Sequence, residues 1–170
     1  QDWASGDAVV AWLRGQSKTA TEQVLAQTPA WQNAPIDKVF GLETVAEMEH
    51  ALQGADEWSV QTLKGLHHQS PLMLCVTLEQ VRRGRHMTLA EDLRMERDLV
   101  RHCFHPSHLG IGPASSETVE GIRALAIDKD HQPRWSASSA NEITDDMVWP
   151  FFESPWPLQA HPLRDLSDVR

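Results

Sequence analysis

Residues 70–104 read SPLMLCVTLEQVRRGRHMTLAEDLRMERDLVRHCF, and this stretch decides the fold class. Ser70 before Pro71 predicts a helix start, because serine caps a helix and proline at its first position loses no hydrogen bond. Thr88 and Glu91 have the spacing of a capping box, in which each side chain satisfies a backbone amide of the other residue. The stretch therefore predicts two consecutive helices.

The second of these helices carries a largely apolar stripe. Leu89, Leu93, Val100 and Cys103 recur at helical spacing, and Glu96 is the polar member of the stripe. A carboxylate in such a position either lies at the margin of the stripe, where it reaches a cation or a helix cap, or has a functional role. We expect the first.

Further helices are predicted on both sides of this pair. Some of them start with capping residues or with acids that suit the positive end of a helix dipole. They cover about residues 7–13, 19–27, 42–52, 55–68 and 117–127, followed by a last short helix that opens at Thr144, with a capping box at Thr19 and Glu22 and with Trp58, Leu63 and Leu66 facing inward. A short strand at residues 124–127 is an alternative to the helix there.

The overall prediction is a mainly α fold of six to eight helices, in one helical region over residues 1–170. Its parts are helical hairpins over residues 7–68, a second group of helices over residues 70–128 and an irregular tail over residues 150–170. Four prolines from Pro150 onward argue against regular structure in the tail, which we expect to pack through its aromatic residues Phe151, Phe152 and Trp156.

Composition excludes several classes of function. The 170 residues include 15 Lys and Arg against 24 Asp and Glu, a formal net charge of -9, which argues against a surface that binds nucleic acid directly. A local basic patch of Arg82, Arg83 and Arg85 remains possible. No apolar run approaches the roughly 20 residues of a membrane-spanning helix, and we expect no membrane partner. No signal peptide is visible, and since residue 1 is Gln rather than Met, we expect a processed product or a piece of a longer chain.

Residue types that carry catalysis or bind metals form no recognisable motif. No Gly-x-Ser-x-Gly or phosphate-binding loop occurs, so we assign no catalytic residue and no cofactor. Cys75 and Cys103 are expected to be buried thiols rather than a disulfide. The histidines at positions 67, 68, 102, 105 and 108 are expected to be solvated or locally hydrogen-bonded, because Pro106 interrupts the helical spacing that metal ligands need.

Two motifs resemble a known family. The first is residues 70–84 with the continuation TLAEDLRMERDLV at residues 88–100, and the second is EGIRALAIDKD at residues 120–130 with Pro-Arg-Trp at residues 133–135. Their order and spacing resemble the C-terminal region of 3-hydroxyisobutyryl-CoA hydrolases and related enoyl-CoA hydratases of the crotonase superfamily. The resemblance runs from about residue 36 to 150, and it departs from the family at Arg97, at Val119 and in a Gly/Pro-containing loop before Glu120.

This resemblance implies a part of an acyl-CoA enzyme. The implied reaction is hydrolysis of a short β-hydroxyacyl-CoA thioester in valine breakdown, or the related hydratase reaction, in the bacterial cytoplasm or the mitochondrial matrix. In the family, the amides that stabilise the oxyanion and the catalytic acids belong to a β-rich N-terminal core. Because no such segment is recognisable here, we expect the chain to lack the ββα superhelix core and to pair with it.

The resemblance also suggests two substrate-binding residues. Lys129 and Arg123 lie where the family's C-terminal helices approach the CoA site, and a lysine after a helix end is a mobile cation that suits a phosphate. The alternative for Arg123 is an ion pair with Glu120 or Asp128 that ties the helix down. A non-catalytic helical interaction module, or a subunit of a larger complex, is the alternative function, and its contacts are expected to be with protein.

Overall fold

The computed structural model describes residues 9–15, 35–54 and 56–167. The chain divides into two units, Gln1–Gly41 and Leu42–Arg170. In the first unit, residues 9–15 form helix α1 and Ile36–Phe40 form helix α2. The capping box predicted at Thr19 and Glu22 lies outside the described residues.

The second unit contains six α-helices within its described residues. They are α3 (Val45–Ala51), α4 (Glu57–His67), α5 (Pro71–Gly84), α6 (Leu89–Phe104), α7 (Glu117–Ile122) and α8 (Asp145–Val148). Single 3₁₀ turns at Ser107–Leu109, Pro113–Ser115, Ala140–Glu142, Trp149–Phe152 and Leu158–Ala160 make up much of the rest. No strand occurs in the described part of the chain, and the mainly α prediction is confirmed.

Predicted capping residues start the central helices. The Ser70 hydroxyl accepts a hydrogen bond from the Met73 amide at 3.1 Å, and Pro71 is the first residue of α5. Thr88 and Glu91 form the predicted capping box at the start of α6. These side chains satisfy amides that have no partner within their own helix, which is why the helices begin at these residues.

Helix α7 widens at its end into a π-helical turn, Arg123–Ile127. The Asp128 amide donates to the Arg123 carbonyl at 2.8 Å and the His131 amide to the Ala124 carbonyl at 3.1 Å. The alternative strand at residues 124–127 is therefore wrong, because the backbone amides and carbonyls of this segment bond locally and not to a neighbouring strand.

The hydrophobic core of the second unit lies between α5, α6, the end of α8 and the segment that follows α8. Its most buried members are Leu72, Val76, Met95, Leu99, Val148 and Phe151. Helix α4 packs less deeply, since Trp58, Leu63 and Leu66, predicted to face inward, are only half-buried. The core is thus formed by the two helices that the opening motif predicts, together with the start of the C-terminal segment.

Polar side chains of α6 hold this C-terminal segment in place. Arg94 donates to the carbonyls of Leu163 and Leu166, and His102 donates to the Glu153 carbonyl at 2.7 Å. The nearly buried Asp98 carboxylate accepts from the Ser154 hydroxyl and from the His161 ring, each at 3.2 Å. Of the aromatic residues, Phe151 is buried, while Phe152 lies under the Arg83 guanidinium and Trp156 lies under that of Arg97.

Candidate functional site

Arg123 is the centre of an ion-pair network at the end of α7. Its guanidinium binds the Glu120 carboxylate through two nitrogens, at 2.9 and 2.8 Å. It also reaches Asp128 at 2.6 Å and Asp130 at 2.8 Å, and it donates to the Gln132 carbonyl at 3.0 Å. The network therefore fixes the turn after α7 to the helix itself.

The titration of these groups reflects the same contacts. Hydrogen bonds from Arg123 and from the Arg134 amide lower the pKa of Glu120 to about 2. The Gln132 amide and Arg123 lower the pKa of Asp130, and the carboxylates of Glu120, Asp130 and Asp128 raise the pKa of Arg123. Glu120, Asp130 and Arg123 thus stay charged around neutral pH. Three carboxylates of the chain already neutralise the charge of Arg123, which makes it a poor partner for an anionic ligand.

Lys129 lies in the turn that this network holds. Its backbone has a φ of 56°, in the left-handed region that few residues other than glycine adopt, and His131 follows with a φ of 54°. The side chain is exposed, and its ammonium forms no hydrogen bond or ion pair with the described residues. An exposed cation on a fixed turn is well suited to meet an anionic group of a ligand.

Seven large aliphatic side chains of α5, α6, α7 and the π-helical turn after α7 are exposed. We call them together the outer face, and they are Val81, Leu89, Leu93, Val100, Ile122, Leu125 and Ile127. A hydrogen bond of 3.3 Å between Gln80 and Glu96 joins the α5 and α6 parts at the surface, and Thr118 on α7 bonds Cys103 on α6. Large exposed apolar patches commonly mark interaction sites in soluble proteins, so the outer face is a candidate for one.

Leu89, Leu93 and Val100 of the apolar stripe predicted on α6 belong to this outer face, whereas Cys103 packs against the core. Leu89 is 72% exposed and Val100 is 52% exposed. The expectation for Glu96 is wrong, since its carboxylate accepts from the neutral Gln80 amide and, within the part of the chain that the structure describes, reaches no cation and no helix cap. The opposite side of α6, with Met95, Leu99 and His102, is the buried one.

An open groove adjoins the outer face at α7. Its volume is about 380 Å³, and its walls include Thr118, Gly121, Leu125 and Trp135. The Trp135 indole donates to the His68 carbonyl at 3.3 Å, which holds the aromatic ring at the groove. Trp135 ends the second motif, so the motif residues Gly121, Leu125 and Trp135 meet at one surface.

The cysteines and histidines form no metal centre among the described residues. Both cysteines are unpaired thiols, and burial raises the pKa of Cys75 and of Cys103. A thiol with a raised pKa is mostly protonated and is a weak nucleophile. His108 packs edge-on against His102 and Phe151, with ring centroids 4.2 and 4.4 Å apart, and burial lowers the pKa of His108 to about 4.

Two of the three arginines predicted as a local basic patch, Arg82 and Arg83, have structural partners. Arg82 donates to the carbonyls of Leu42 and Glu43 before α3, and Arg83 pairs with Glu79 at 2.6 Å.

Within the described residues, no helix combines the length and the apolar character that crossing a membrane requires.

The chain is similar in sequence to known proteins. A family model described as enoyl-CoA hydratase/isomerase matches residues 1–152. The small ribosomal subunit protein mS47 of Arabidopsis thaliana is 37% identical over 123 residues, which cover 69% of this chain and 28% of that protein. The rat mitochondrial 3-hydroxyisobutyryl-CoA hydrolase is 31% identical over 122 residues, which cover 70% of this chain and 29% of that enzyme.

A solved structure agrees with these relatives. The crystal structure of an enoyl-CoA hydratase from Rhodobacter sphaeroides 2.4.1 superposes with a TM-score of 0.62 and 26% sequence identity, covering 76% of this chain and 37% of that one. The chain spans less than a third of the length of the two relatives above. With a family model that matches most of its length, the chain belongs to the enoyl-CoA hydratase/isomerase family of the crotonase superfamily.

Proposed function

We propose that this chain is the C-terminal helical part of an acyl-CoA enzyme that hydrolyses a 3-hydroxyisobutyryl-CoA-like thioester, as in valine breakdown. The observation that carries the proposal is the outer face, whose exposed Leu89, Val100 and Leu125 have no cover within the described residues. The occupant that fits this face is the rest of a crotonase-type enzyme, since the relatives are about three times as long as the matched segment. Because several relatives are mitochondrial proteins, the mitochondrial matrix is the compartment we propose for a eukaryotic source.

In this proposal the chain contributes binding and shape, while the catalytic groups belong to the core. Lys129 meets a phosphate group of CoA, since its ammonium is exposed on a fixed turn. Arg123 has a positioning role, because its contacts with Glu120, Asp128 and Asp130 hold the turn that carries Lys129. The apolar groups of the outer face pack on the core and exclude water from the thioester.

Complementation tests the proposal. The part of the rat mitochondrial hydrolase that precedes its matched segment is produced alone, mixed with this chain, and assayed with 3-hydroxyisobutyryl-CoA. We expect turnover from the mixture that neither component gives alone. A mixture that forms a complex and still shows no more activity than the rat part would contradict the proposed function, and the same assay with an enoyl-CoA substrate separates hydrolase from hydratase activity.

A second candidate is a non-catalytic interaction module within a larger assembly. It is favoured by the 37% identity to the ribosomal protein mS47 and by the same outer face. The net charge of -9 favours a protein neighbour over RNA. This candidate predicts stable association with a protein partner and no thioester turnover in the complementation assay.

A further inference from the structure

A separate cavity of about 230 Å³ lies inside the second unit. It is bounded by α5, α6, the loop after α6, the start of α7, Ser136 of the following loop, α8 and the segment after α8. Its walls are almost entirely apolar and include Leu72, Met73, Leu109, Ile111, Met147 and Phe151. None of these six residues belongs to the outer face, so the cavity is a feature independent of the proposed function.

One polar atom in the cavity wall lacks a partner. Glu117 lines the cavity, and one of its carboxylate oxygens accepts from the Ser136 amide at 3.0 Å. The other oxygen, Oε2, is buried and has no hydrogen-bond partner among the described residues. A buried acceptor without a partner costs free energy, and a ligand that donates a hydrogen bond to it would remove that cost.

The neighbouring polar groups of the wall already have partners. The Ser116 hydroxyl accepts from the Val119 amide at 3.1 Å, Thr118 bonds the Cys103 thiol, and the His102 ring donates to the Glu153 carbonyl. The cavity thus offers apolar walls and one buried acceptor, Glu117 Oε2, without a partner among the described residues. An ammonium group would bring three donors and leave two of them unsatisfied, whereas a hydroxyl brings one.

We propose that this cavity binds a small, compact, apolar molecule that carries one hydroxyl group, with the hydroxyl donating to Glu117 Oε2. The size agrees, because apolar protein cavities of roughly 150 Å³ already accept a benzene molecule. The apolar part of the ligand gains by leaving water, and the hydroxyl gives specificity for this ligand over a hydrocarbon of the same shape.

Phenol and benzene are suitable probes, since they share a ring and differ in the hydroxyl. Titration of each into the chain is followed by NMR, using the methyl signals of Met73 and Met147. We expect both probes to shift these methyl signals, with phenol binding at least about fivefold more tightly because of the additional hydrogen bond to a carboxylate. A crystal structure of the phenol complex should place the hydroxyl within hydrogen-bonding distance of Glu117.

Two tryptophan variants separate binding in the cavity from binding elsewhere. Ile111→Trp narrows the cavity from its partly exposed wall, and Leu158→Trp changes an exposed position that lies outside both the cavity and the outer face. We expect Ile111→Trp to weaken phenol binding at least about tenfold and Leu158→Trp to leave it unchanged. Absent methyl shifts in the unmodified chain, or equal affinity for phenol and benzene, would overturn the proposal whether or not the variants fold.

Discussion

Lys129 and Arg123 belong to the same motif and have opposite surroundings. Arg123 is surrounded by three carboxylates, while Lys129 is exposed without a partner in the described residues. Both residues are recognisable from the motif, but the motif does not reveal which cation is already neutralised. That depends on how the turn at residues 128–132 folds back on Glu120, which no local pattern specifies.

The role proposed for Lys129 gives a kinetic prediction. In the complemented enzyme, Lys129→Gln should raise KM for a CoA thioester about fivefold with little change in kcat, because one exposed charge contact of about 1 kcal/mol is lost. Lys64→Gln, a change at an exposed lysine of α4, serves as the control. With a substrate that lacks the phosphate contacted by Lys129, the wild-type and Lys129→Gln proteins should have the same KM. If the KM for intact CoA thioesters is also the same for both proteins, Lys129 does not bind the substrate.

His108 gives a prediction for stability against pH. Its pKa falls from an ordinary value near 6.5 to about 4 in the folded chain, because it is buried and close to His102. Between these two values the unfolded chain binds more protons than the folded chain, so the free energy of unfolding should decrease as pH falls from 6.5 to 4. Urea unfolding measures the free energy of unfolding at pH 7 and at pH 5. The decrease between these two pH values should be smaller for His108→Phe than for the wild type, and equal decreases would contradict this assignment.

Helix α5 shows how far local sequence rules reach. The Ser70 cap is predicted from the sequence and is present, with the serine almost fully buried. Ser70→Ala should lower the free energy of unfolding by about 1 kcal/mol, because the Met73 amide loses its partner. The control is Ser107→Ala, at an exposed serine in a 3₁₀ turn, which should change the free energy of unfolding little. If chemical unfolding shows that the Ser70 variant is as stable as this control, the cap does not stabilise the helix.

Helix α6 shows where those rules stop. Apolar residues occur on two of its sides, and the spacing of Leu89, Leu93 and Val100 does not tell whether their side faces the core of this chain or another surface. The buried side includes Asp98 and His102, whose polar atoms are satisfied by His161 and Glu153. These partners are 63 and 51 residues away in the sequence, so the burial of a charged side chain on α6 has no local signal.

Over the whole molecule, the outer face is the feature that links fold to function. Leu125→Asp should weaken association with the rat hydrolase core at least about tenfold, because it places a charge in an apolar contact. Leu158→Asp is a matched control, since Leu158 is also well exposed and lies in the C-terminal segment outside the outer face. Calorimetric titration of both variants checks this, and circular dichroism should show that both keep their helices. Equal affinities of the two variants would place the contact elsewhere.

The fold class, the family motifs and most helix starts were accessible from the sequence because they depend on local spacing and capping. For the outer face, the sequence predicts only that these helices cover a core outside this chain. Which residues of α7 and its π-helical turn belong to the outer face is evident only from the structure. The cavity beside Glu117 was not accessible, since it joins residues that are as far apart in the sequence as Leu72 and Phe151.

The central claim is that this chain completes a crotonase-type core by covering it with the outer face. Sedimentation velocity of an equimolar mixture of the chain and the rat hydrolase core tests it most directly. We expect one faster-sedimenting species with the mass of a one-to-one complex. Two unshifted species, together with thioester turnover by the chain alone, would contradict the claim.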